Sequence, residues 1–100
     1  MNEAVDDATL RLRITGKVQG VWFRGWTVKT ARGLGLTGWV RNRRDGAVEA
    51  LIHGPQLSLE VMVFASRQGP PAARVTEVAV ENVLASGEDL AGGFTQRPTS

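Results

Sequence analysis

Residues 16–24 read GKVQGVWFR, and their chemistry is that of an anion site. Gly16 and Gly20 let successive backbone N–H groups turn inward and approach a ligand closely. Helical spacing begins at Phe23. The first turn of a helix leaves about four N–H groups without intrahelical partners, at the positive end of the helix dipole. No Ser, Thr, Asp or Asn stands there to cap them. A bound phosphate could serve as the cap instead, and Arg24 adds a planar fork that matches two phosphate oxygens. Taken alone, the pattern also fits a tight strand-to-helix connection with a solvated arginine, and the G-K-[ST] ending of a P-loop is missing.

Little else in the chain offers chemistry. There is no cysteine and only one histidine, which rules out disulfides, thiol catalysis, thiolate metal sites and multi-histidine metal sites. A serine–histidine–carboxylate triad would have to use His53, which follows a strand-like run with no nucleophile motif beside it. A partly exposed polar residue at a strand end is the simpler reading. Twelve basic and ten acidic residues leave a net charge of +2, too small by itself to imply a polyanionic partner. The opening MNEAVDDATL lacks the basic start and apolar run of a signal peptide, and no stretch approaches the ~18 apolar residues of a membrane span. A cytoplasmic protein without a membrane partner is expected.

The elements that must position the site follow from length and periodicity. One hundred residues are enough for one domain with one core. Residues 1–7 are expected as a disordered tail, 8–97 as the domain and 98–100 as a second tail. Leu10, Leu12 and Ile14 alternate with Arg11, Arg13 and Thr15, the period of a strand with one buried face. Phe23, Trp26, Thr27, Thr30, Ala31 and Leu34 form a helical stripe, ended by Gly33 and Gly35. Leu36–Arg43 reads as a strand, Asp45–Gly46 as a hairpin turn and Ala47–His53 as the returning strand. Gly54–Pro55 opens a second helix, with Leu57, Val61, Phe64 and Ala65 as its expected buried face. Val75, Val78 and Val80 mark a fourth strand, and GGFTQR could add a short edge strand. The order is βαββαβ: an α+β, ferredoxin-like fold with an antiparallel sheet and two helices on one face.

This order brings distant residues together. The first strand delivers the glycine loop to one end of the sheet and the helix returns ~15 Å the other way. The second strand then travels ~20 Å back, so Asn42 reaches the same rim as Arg24, Arg43 and Arg44. Taken singly, Asn42 reads as a polar strand end, and Lys17, Arg43 and Arg44 as solvated charges. Trp22, Trp26 and Trp39 read as core or rim packing rather than ligand platforms.

Taken together, GKVQGVWFR, GLGLTGWVRN, DGAVEALIHG and GPPAARV closely resemble the acylphosphatase family, in order and spacing, from about Leu10 to Phe94. The resemblance implies hydrolysis of the carboxyl–phosphate anhydride of acyl phosphates, without metal or cofactor. It implies a phosphate-binding set of Gly16, Lys17, Val18, Gln19, Gly20, Val21, Trp22 and Phe23, in which the loop from Lys17 to Phe23 cradles the phosphate through backbone N–H groups. Arg24 matches the arginine that binds the phosphate, and Asn42 the asparagine that holds the attacking water. Inorganic phosphate or sulfate is the expected competing ligand, and a monomer without a nucleic-acid partner is expected. The ending GFTQRPTS departs from the aromatic or apolar close common in the family and leaves the edge strand open. A nucleic-acid-binding module of this fold would show exposed sheet aromatics for base stacking, and the central strands offer only Trp39. A domain kept for phosphate sensing alone is opposed by the presence of both signature side chains.

Overall fold

The computed structural model describes residues 7–100. The tail expected over residues 1–7 therefore falls outside the described residues except for Asp7, which already opens the first strand. That strand, β1 (Asp7–Lys17), buries Leu12 and Ile14 and exposes Arg11 and Arg13, as its alternation requires. Next come α1 (Phe23–Gly33), β2 (Thr37–Asn42), β3 (Val48–Pro55), α2 (Gln56–Ser66), β4 (Arg74–Asn82), the single turn α3 (Gly87–Leu90) and β5 (Phe94–Gln96). The sheet order is β4-β1-β3-β2-β5. β1 pairs antiparallel with both β3 and β4, and β2 pairs antiparallel with β3.

The core lies on one face of this sheet. Leu12, Ile14, Val40, Val48, Ala50, Ile52 and Phe94 from the strands meet Phe23 and Ala31 of α1 and Leu59 and Met62 of α2. Full burial of each larger apolar side chain contributes roughly 1.5–3 kcal/mol. On the opposite face arginines and carboxylates alternate: Glu49 accepts from Arg41 at 2.8 Å and from Arg43 at 3.3 Å, Glu81 pairs with Arg11, and Asp45 with Arg13. Trp39 lies among them, 6% exposed, with the Arg41 and Arg97 guanidiniums each 4.8 Å from its ring centre. Its indole N–H donates to Asp89, so the ring is covered and presents no stacking surface.

Several expectations need correction. The buried face of α2 is Leu59, Met62 and Ser66, whereas Leu57, Val61 and Phe64 are 69%, 50% and 66% exposed. Pro55 does not sit in the first turn of α2; it ends β3 and precedes the helix in extended conformation. Gly33 is still helical, and Gly35 alone takes the left-handed turn after α1. β5 forms, but parallel to β2, so the sheet is mixed rather than wholly antiparallel. The C-terminal residues do not trail away. The Ser100 N–H donates to the Asn42 carbonyl at 3.1 Å and the Arg44 N–H donates to Ser100 at 3.2 Å.

Candidate active site

Three strands end at one rim. β1 runs toward it, and β2, antiparallel to β3, shares that direction. β5, parallel to β2, shares it as well. Lys17, Asn42 and Gln96 thus close their strands beside the start of α1. Asn42 is in phase with Val40, and Gln96 with buried Phe94, so both point to the helix side of the sheet. Val18, Gly20, Trp22, Phe23, Arg24, Gly25, Asn42 and Gln96 line a cavity of about 120 Å³ there. That is well below the ~300–1,000 Å³ typical of pockets for drug-sized ligands; a small ion or group suits it.

The donors around this cavity are free. No N–H of Val18 through Trp22 donates to a protein acceptor among the described residues, and α1 has no side-chain cap. Trp22 occupies the N-cap position with φ 67°, the one non-glycine residue with positive φ among the described residues. Its carbonyl accepts from Trp26 N–H at 3.0 Å and so starts the helix. The arginines of the outer face are paired with carboxylates. The Arg24 guanidinium and the Asn42 amide make no such contact among the described residues. Unpaired N–H groups, a helix start and a free guanidinium create a concave region of positive potential.

Not every residue of the expected phosphate-binding set faces this cavity. Gly16 and Lys17 belong to the β1–β4 ladder, opposite Val75 and Arg74. Gly16 is needed there because a Cβ would collide with the Arg74 carbonyl, and its φ is 121°. Val21 is half-buried and packs against the core. Gln19 donates from Nε2 to the carbonyls of Arg43 and Ala47, each at 2.8 Å; its side chain ties the loop to the β2–β3 hairpin. The sequence reading missed Gly25 and Gln96. Gly25 lay one residue past the motif, and Gln96 could be found only from the direction of β5. His53 accords with its simple reading: half-buried, with Nδ1 2.7 Å from the Thr9 hydroxyl, away from this rim.

The fold and this cavity define the class first: a ferredoxin-like α+β domain with its pocket where strand ends meet a helix start. The acylphosphatase family model matches residues 10–95. An acylphosphatase of Rhodospirillum rubrum is 59% identical over 91 residues, covering 91% of this chain and 97% of that protein. The solved structure of an acylphosphatase from Coxiella burnetii superimposes with a TM-score of 0.84 at 34% identity, over 91% of this chain and 93% of that one. An acylphosphatase from Bacillus subtilis gives 0.82 at 35% identity, over 89% and 97%. The chain belongs to the acylphosphatase family and is an enzyme.

Proposed function

We propose that the protein hydrolyses acyl phosphates to a carboxylate and inorganic phosphate, without a metal, at the rim cavity. The phosphate lies against the free N–H groups of the loop and the start of α1, with Arg24 bridging two of its oxygens. Asn42 carries both an acceptor and donors and orients a water in line with the scissile P–O bond. The water oxygen bonds to phosphorus as that bond breaks and its electron pair leaves with the carboxylate. The water proton passes to a phosphate oxygen. A carboxylate is a good leaving group, so no strong protein base is needed, and a loose transition state is served by positioning and by donors facing the equatorial oxygens.

The observation that carries this reading is the convergence of Arg24, Asn42 and the uncapped start of α1 on one small cavity. What supports metal independence is the lining of the cavity, whose side chains are apolar, amide or guanidinium groups that suit an anion rather than a cation. Benzoyl phosphate hydrolysis with excess chelator tests both parts. Activity undiminished by chelator is expected. Loss with chelator and recovery with magnesium would refute the metal-free mechanism, and no hydrolysis of any acyl phosphate would refute the reaction.

A further inference from the structure

Trp22 is in an unusual position for a tryptophan. Its φ of 67° is left-handed, a region a bulky side chain enters at a cost and glycine enters freely. The turn from loop to helix would form more easily with glycine, yet an indole stands there and is 62% exposed. Strain of this kind gathers at functional sites. The indole is also specifically housed. It lies over Gly25, where a Cβ would come within 2.7 Å of Cε2 and 2.8 Å of Cδ1 and closer still to Nε1. Any other residue at position 25 would displace the ring. Trp22 and Gly25 both line the cavity.

We infer that Trp22 is the specificity-determining residue of this site: its indole, laid over Gly25 at the cavity mouth, is the platform for a planar aromatic or bulky apolar acyl group. The cavity of about 120 Å³ holds a phosphoryl group but not a benzoyl group behind it. The acyl end must therefore project outward, where the exposed ring offers a π-face and a large apolar area. An acetyl group is too small to use much of it. The inference rests on the acyl-phosphate reading and names the acyl class that reading leaves open.

The test compares kcat/KM for benzoyl and acetyl phosphate, together with inhibition by inorganic phosphate, in wild type, Trp22→Gly, Trp22→Phe and Gly25→Ala. Trp22→Gly keeps the left-handed turn without strain and removes the platform. The benzoyl-to-acetyl ratio should fall about tenfold, the upper range for an aromatic pair, with a much smaller change in phosphate inhibition. Gly25→Ala retains the indole but displaces it, so the ratio should fall in the same direction. Trp22→Phe should keep part of the preference. An unchanged ratio in Gly25→Ala, or in a folded Trp22→Gly, would overturn the platform while leaving the reaction standing. Phosphate inhibition weakened as much as benzoyl turnover would overturn it too, since the ring would then act through the phosphate pocket. Failure of the wild type on both compounds would overturn the reaction and the platform together.

Discussion

Gln19 and Arg43, 24 residues apart, are joined by a hydrogen bond of 2.8 Å from the side-chain amide to the backbone carbonyl, and the same nitrogen reaches Ala47 at 2.8 Å. This contact holds the loop against the hairpin that follows Asn42, so it sets the spacing between the free N–H groups of the loop and the Asn42 amide. Gln19→Ala should cost about 1–3 kcal/mol for two ordinary hydrogen bonds and lower kcat more than it raises the phosphate inhibition constant. Gln19→Glu should be worse, because a carboxylate would face two carbonyl oxygens. Urea unfolding and steady-state kinetics on both variants check this.

In the proposed mechanism the Arg24 guanidinium contacts phosphate before and during reaction, so Arg24→Ala should weaken phosphate inhibition and slow turnover together. Arg24→Lys should recover little, a point charge being no substitute for a bidentate fork. In the wild type, phosphate at about 100 times its dissociation constant should stabilise the fold by ~2.7 kcal/mol. Melting curves in phosphate against chloride at equal ionic strength would show the shift in the wild type and its loss in Arg24→Ala.

Asn42→Ala should lower kcat by ~10²–10³, the scale for removing one positioned polar group, with phosphate inhibition nearly unchanged. Asn42 sits half-buried at a strand end, so circular dichroism should show a native fold. Near-normal kcat, or a loss of phosphate affinity matching that of Arg24→Ala, would remove Asn42 from the water.

The orientation of α2 has a stability signature. Met62→Ala deletes a fully buried side chain and should cost about 2–5 kcal/mol. Phe64→Ser, at an exposed position, should fall within about 0.5 kcal/mol of wild type. Denaturant midpoints for the pair would reveal a reversed order at once if the helix faced the other way.

Acid should loosen the covered face of the sheet. The Ser86 backbone N–H, with the Trp39 indole, the Ser86 hydroxyl and Arg97, holds the Asp89 carboxyl below its ordinary range. The Ala47 N–H and then Arg13 do the same for Asp45. A carboxyl lowered in the folded state stabilises the protein above its unfolded value of about 3.9, and that stability is lost as pH falls through the folded value. Stability should therefore decline below about pH 4, and Asp89→Asn should flatten part of that decline. Thermal melts from pH 7 to 2 test it.

The sequence by itself determined what local period and chain length can encode. Alternation from Leu10 to Thr15 defined the buried face of β1, since side chains on a strand have only two sides. The helix and strand lengths sufficed to bring Asn42 back to the loop, and the absence of a capping residue before Phe23 foretold the uncapped start of α1 on which the proposed site rests. Tertiary structure decided the rest. α2 is apolar on more than one side, Leu57–Val61–Phe64 competing with Leu59–Met62, and only its entry from Pro55 and its packing over the sheet selected the second stripe. Three residues of β5 carry no signal of direction; its parallel pairing with β2 came from the path of the chain through α3, and it alone brought Gln96 to the rim. Gln19 read only as a backbone donor of the loop until the fold set the hairpin carbonyls against its side-chain amide. Trp22 looked like packing until the bare Cα of Gly25, three residues on, gave its indole somewhere to lie. Such partners are non-local or depend on backbone conformation, and a linear pattern of residue types records neither.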